Sequence, residues 1–266
     1  MPAQVPAKID DKFIGDFLNK AHGTLKNYAV RQYDHESFIK SAMLAIVENE
    51  TLRECLKTDQ GKLSLFGALR FASSTGLSLN PQEGKAALIA YGGKVQYQIM
   101  KNGIVELALS SGMVDFVTAD IVRERDKFEL SKSMSGDNYE YAPAKTDRGD
   151  VIGFFAGCKL KSGSTHVKYM TRQEVEEMRD KYSAMFKAKP EASPWSKSFN
   201  GMGIKTVLKS LFRNLSISTA LDDALGNDEK TGAVIDITDG GWTSEEVKTE
   251  LEQKPAPAPA QGKMDF

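Results

Sequence analysis

The stretch "SPWSKSFNGMGIKTVLKSLFRNLS", residues 193–216, decides between two fold classes. Its paired glycines followed by Lys-Thr invite a phosphate-loop reading, which belongs to a parallel α/β sheet. A Walker-type loop needs GxxxxGK[ST] directly after a buried strand. Here Ile204 stands between Gly203 and Lys205-Thr206, and "SPWSKSF" is no β-branched strand. As a helix the stretch is coherent: at ~100° per residue, Ile204, Val207, Leu208, Leu211, Phe212 and Leu215 share one face. Lys205, Lys209 and Arg213 follow at four-residue steps beside that face, and Lys197 lies two turns earlier. No acid occurs between Pro194 and Leu221 to pair with them along the helix.

The order of elements around this helix is helices, then strands, then helices. Apolar positions at helical spacing run from Glu36 to about Leu56 with Asp34 as cap, and a second helix follows from a Ser64 cap to Gly76. "AALIAYGGKVQYQIM" reads as a hairpin turning at Gly92-Gly93. "NGIVELALSSG" is a short helix, and "VDFVTADIVRE", "DKFELS" and "NYEYAP" are strands. "DVIGFFAGCKL" and "THVKYM" form a further hairpin. Thr171 and Glu174 make a capping box for a helix reaching about Phe186. The expected fold is α+β: a central antiparallel sheet with hairpins, flanked by helices, without βαβ alternation. Residues 1–30 are expected to be a flexible segment, 31–221 the core, and 222–266 an acidic, Pro-rich disordered tail.

Charge is unevenly placed along the 266 residues. Residues 181–215 carry Lys181, Lys187, Lys189, Lys197, Lys205, Lys209 and Arg213 against Glu191 alone. Residues 222–266 carry eleven acids and four lysines, so the chain without its tail is basic and suited to a polyanion. No apolar run approaches the ~20 residues of a membrane span, and "MPAQVPAKIDDKF" holds no signal-peptide core. Cys55 and Cys158 are read as buried free thiols of a cytoplasmic protein, and three histidines without metal spacing lead us to expect no metal. From spacing alone, the lysine ridge is either a nucleic-acid grip or a solvated helix face.

The sequence resembles the RecT/Redβ family of phage single-strand annealing proteins, in its RecT branch, over roughly residues 40–220. The resemblance rests on "ALRFASSTGLSLNPQEGKAALIAYGGKVQYQIMKNGIVELALSSGMVDFVTADIVRERDKFE", on "GFFAGCKLKSG" and "YMTRQEVEEMRDK", and on the pattern W…F…M…KT.LK.LFRNLS. It implies ATP-independent binding of single-stranded DNA and annealing of complementary strands in homologous recombination, without enzymatic activity or cofactor. It implies a homo-oligomeric ring or helical filament, an annealed duplex intermediate, and partnership with a 5′-to-3′ exonuclease. Lys205, Lys209 and Arg213 would then line the DNA groove, with Thr206 and Lys197 beside them. The sequence departs from the family where Ile204 replaces a second lysine and where "MKNG", residues 100–103, follows the hairpin.

Further contacts are read with their alternatives. Trp195 stacks a base or packs as a helix staple. Gln96 and Gln98 meet DNA, meet the next protomer, or are solvated. Lys101 and Asn102 hold a phosphate at a helix start, or Asn102 is only a cap. The end of the chain, Asp265 and Phe266, is similar to the tip of bacterial single-strand-binding proteins; it engages a pocket used by the host protein, or is an inert tail. A different class remains open, a non-enzymatic interaction protein whose ridge binds an acidic protein.

Overall fold

The computed structural model describes residues 10–29, 34–133 and 136–230. The described residues up to Gly76, together with Ala90–Gln96, form one compact unit; Leu77–Ile89 and the residues from Tyr97 onward form the other.

The first unit is helical. Helix α1 (Asp11–Lys26) buries Ile14, Phe17, Leu18, Ala21 and Leu25 along one stripe, with Asp10 accepting from the Phe13 N–H at its start. A flexible segment to residue 30 is therefore corrected: the apolar stripe hidden in "FIGDFLNKAHGTL" makes an amphipathic helix. Asp34 caps α2 (His35–Val47) as expected. That helix ends earlier than read, because Asn49 starts a new one, α3 (Glu50–Cys55), by accepting from Thr51 and Leu52 N–H. Thr58, not Ser64, caps α4 (Asp59–Thr75). Ser64 is buried inside α4, where its hydroxyl donates to the Gly61 carbonyl at 2.8 Å and accepts from the Val95 N–H at 2.8 Å. Gly76 ends α4 in the left-handed conformation, φ 69°.

Strands β1 (Ala86–Tyr91) and β2 (Lys94–Ile99) form the expected hairpin. Its two-residue turn places Gly92 and Gly93 at φ 57° and 76°, where a side chain is disfavoured. Helix α5 (Lys101–Ser110) follows.

The second unit is built on β3 (Val114–Arg123), β6 (Val151–Leu160) and β7 (Thr165–Thr171), antiparallel in the order β3-β6-β7. Its core strand β6 alternates between two faces. Phe154 points at α9 (Phe199–Arg213), which lies across all three strands. The approach is close: a Cβ on Gly203 would sit 2.4 Å from the Phe154 ring. Phe155 points the other way, into a cluster with Phe128, Tyr139 and Tyr141 at ring distances of 5.1, 5.5 and 4.9 Å. Those three residues belong to the hairpin of β4 (Lys127–Ser133) and β5 (Gly136–Ala142). The same hairpin blunts the outer edge of β7: Lys132 Nζ donates to the Val167 carbonyl at 3.1 Å, and Asp137 accepts from the Val167 N–H at 2.7 Å. An open strand edge is a template for unwanted pairing, and these side chains occupy it.

The capping box at Thr171 forms as expected and opens α6 (Arg172–Tyr182). Ser183 breaks the helix and caps a short α7 (Ala184–Ala188). A 3-10 turn at Pro190–Ala192 and α8 (Pro194–Lys197) lead into α9. The chain then forms α10 (Thr219–Lys230), with Leu221, Ala224 and Leu225 buried. A tail beginning at 222 is thus corrected over its first turns, while residues 231–266 lie outside the described residues. The fold is α+β with antiparallel sheets flanked by helices, as read. Both cysteines are free and buried, and burial pushes the Cys158 thiol up to about 11.

Candidate nucleic-acid interface

The charge on α9 is not disposed as a free ridge. Val207, Leu208, Leu211 and Phe212 are buried as expected, but so is Lys205, at 5% exposure. The helix has neighbours beyond the sheet: α5 and α10 also pack on it. A single-face reading of α9 fails for that reason. Asp228 of α10 accepts from Lys205 Nζ at 2.9 Å and from Lys209 Nζ at 2.6 Å. The side chains of Lys205, Lys209 and Asp228 are 6%, 22% and 4% exposed. Two ammonium groups on one carboxylate leave an uncompensated positive charge in this pairing. Burial pushes Lys205 down from the ordinary lysine value, opposed by Asp228. Burial works to raise Asp228, and the two lysines outweigh it, holding the carboxyl below its ordinary value. Arg213, in the last turn of α9, is exposed. Thr206 turns its hydroxyl inward, donating to the Met202 carbonyl at 2.8 Å.

Other expected contacts divide by exposure. Gln96 is 8% exposed, so the open strand face expected for it is corrected: β2 buries Val95, Gln96 and Tyr97 in succession. Trp195 is also 8% exposed, with its ring 5.9 Å from Phe199, which meets Phe154 at 5.8 Å. It packs at the α8–α9 junction and presents no open ring face to a base, which corrects the stacking alternative. Lys101 and Asn102 are exposed at the start of α5. Asn102 Nδ2 donates to the Glu83 carbonyl at 2.8 Å, so it ties α5 to the preceding loop and is not the helix cap. Asp265 and Phe266 lie outside the described residues.

What the structure presents to solvent is the segment before α9. Lys181, Lys187, Lys189 and Lys197 are all exposed, with Glu191 the one acid between Lys181 and Lys197. Lys187 Nζ donates to the Lys181 carbonyl at 2.9 Å, keeping α7 folded against the end of α6. Tyr182 is 64% exposed, and the Lys181 ammonium sits 5.2 Å from its ring centroid. Cations with an open aromatic ring suit a single strand: ammonium groups take phosphates and the ring takes a base face. Of this set, only Lys197 was among the residues expected at the site. The signal for the rest was the local charge excess itself, which counted them without locating them. Asp228 was missed because a pairing test along one helix cannot see an acid on the next.

Near the β3–β4 turn, Arg125 pairs with Asp147 and Arg148 with Asp126, so these arginines are spent on loop closure. Among the described residues no three His, Cys, Asp or Glu side chains gather as metal ligands, and no helix is long and apolar enough to cross a membrane.

Known proteins give the geometry its context. The RecT family model matches residues 36–240. Protein RecT of Escherichia coli (strain K12) is 26% identical over 246 residues, covering 89% of this chain and 87% of that protein. The uncharacterized protein YqaK of Bacillus subtilis (strain 168) is 26% identical over 215 residues, covering 80% of this chain and 72% of that protein.

Proposed function

This chain belongs to the RecT family, and from that premise we propose that it binds single-stranded DNA and anneals complementary strands in recombination, without ATP and without making or breaking a covalent bond. The observation that supports this reading is the exposed cationic run Lys181, Lys187, Lys189 and Lys197 beside Tyr182.

Annealing demands three things of a protein. It must hold a strand by its phosphates, leave the base edges free, and relieve the repulsion between two polyanions. Lysine side chains supply the first and last through counterion release, and phosphate contacts carry no direct sequence information. Base pairing supplies the driving energy, about 1.4 kcal/mol per stacked step. No nucleotide is needed thermodynamically. We assign strand contact to the exposed lysines, with Lys101 and Arg213 as further phosphate ligands. The protein works as a homo-oligomer beside a 5′-to-3′ exonuclease in the cytoplasm. Asp265 and Phe266 engage a pocket that also serves the host single-strand-binding protein. The folded core for this activity extends on both sides of residues 31–221, to take in α1 and α10.

Fluorescence anisotropy with labelled oligo(dT) across a salt series tests the reading. Six contacts per protomer, the four lysines with Lys101 and Arg213, give a slope of log K against log salt near −4, from roughly 0.7 per contact. Each Lys→Gln change among the four lowers the slope magnitude by about 0.7, equally for all sequences. A flat salt response, or tight binding to an acidic protein with none to oligo(dT), overturns the assignment.

A further inference from the structure

Helix α10 is made of two parts with different holds on the protein. Its first turns are fixed by Leu221, Ala224 and Leu225, at 0%, 0% and 2% exposure. Its last turn carries Asn227, whose Nδ2 donates to the Tyr97 carbonyl at 3.2 Å, and Asp228, which holds Lys205 and Lys209. Between the two parts stands Gly226. An added Cβ there would meet no described atom within 4 Å, so no close approach requires the glycine. A glycine inside a helix weakens it relative to alanine. A carboxylate in the last helical turn also faces the negative end of the helix dipole. The turn that bears Asp228 is therefore held by polar side-chain contacts and joined to the buried half of α10 through a helix-weakening glycine.

We propose that the last turn of α10 is a latch: the Asp228 carboxylate occupies, in the free protein, a phosphodiester site made by Lys205 and Lys209, and a DNA strand opens the turn at Gly226 and takes its place. The inference rests on the proposed binding of single-stranded DNA. The pair is suited to this exchange. Lys205 and Lys209 are one turn apart on α9, their ammonium groups already converge on two oxygens of one anion, and they outnumber its charge. A phosphate offers the same two-oxygen geometry. Lys209, the more open of the two at 22%, is the point of first contact. The apolar half of α10 stays in place during the exchange, so opening exposes no core residue.

Two variants separate this from a merely structural ion pair. Asp228→Asn keeps the shape and removes the competing charge; we expect oligo(dT) affinity at ~0.1 M salt to rise about tenfold while the slope stays near that of the wild type, because the strand reaches both lysines in either protein. Gly226→Ala changes no charge and stiffens the hinge; we expect affinity to fall about fivefold, from a helix-propensity gain near the alanine–glycine difference. Amide exchange on the wild-type protein completes the test: oligo(dT) should speed exchange at residues 226–230 and leave 219–225 protected. Binding by the wild type with unchanged affinity in both variants overturns the latch alone, as does a last turn that stays protected in the complex. No oligo(dT) binding by the wild type in any salt overturns the functional reading and the latch together.

Discussion

Reversal of the exposed cations in one protein, Lys181→Glu, Lys187→Glu, Lys189→Glu and Lys197→Glu, should lower affinity for single-stranded DNA by roughly a thousandfold or more at ~50 mM salt. Each lysine lost removes a released counterion, and each glutamate gained adds a repulsion from the phosphate chain. All four side chains are exposed, so the change takes no buried group from its partner. The melting temperature should accordingly stay within a few degrees of wild type, since surface substitutions of this kind usually shift stability by about 0.5 kcal/mol or less each. Two local contacts are disturbed, the Lys187 ammonium on the Lys181 carbonyl and the Lys181 ammonium over the Tyr182 ring, both at the surface. Gel-shift titration and thermal melting on the same preparation check both halves. Affinity within a few fold of wild type would move the DNA away from this segment altogether.

The largest stability effect should come from Asp126→Ala. The Asp126 side chain is fully shielded from solvent, and it accepts four hydrogen bonds: from the Arg123 and Ala144 N–H groups at 2.9 Å each, and from Arg148 Nε and Nη2 at 2.9 and 2.7 Å. Removing it strands two backbone donors and a guanidinium whose other partners are the Tyr141 hydroxyl, at 2.7 Å, and the Ile121 carbonyl, at 3.5 Å. The loss should be about 3 kcal/mol, at the low end for a broken buried pair because Arg148 is 30% exposed and can turn to water. The Arg148 hydrogen bonds hold the Asp126 carboxyl far below its ordinary value of 3.8. A depressed carboxylate stabilises the fold above the unfolded value and loses that contribution as pH falls toward the folded value. The difference between wild type and Asp126→Ala should therefore be full at neutral pH and shrink steadily below about pH 4. Urea melts at pH 7, 4 and 3 measure it; a gap independent of pH would mean that the ion pair is not its source.

Local signals in the sequence were legible where they were self-contained. The Thr171–Glu174 box, the Gly92-Gly93 turn, the Asp34 cap and the stop at Gly76 each involve a few adjacent residues, and each formed as read. The rejection of a phosphate loop at Gly203 held for the same reason, and the structure adds why the glycine is there: the Phe154 ring leaves no room for a Cβ. Misreadings fell where a distant element intervened. Ser64 looked like a cap because serine often is one; it is instead a buried acceptor for Val95, thirty-one residues away. Gln96 looked outward by strand alternation, yet three consecutive residues of β2 are buried, so period two does not describe that strand. Lys205 and Lys209 looked unpaired because their acid sits on α10. Charge excess over 181–215 counted the lysines of this segment without separating the exposed ones from Lys205 and Lys209. Which of its lysines face water depended on packing around α9, and no periodicity along α9 encodes that.

The most direct measurement follows two complementary labelled oligonucleotides by fluorescence quenching, with no nucleotide and with EDTA present. The protein should accelerate pairing well beyond the rate of the naked strands, the acceleration should fade steeply between ~50 and ~200 mM salt, and both strands should be recovered at full length. Pairing at the naked-strand rate at every protein concentration, or recovery of shortened strands, would contradict it.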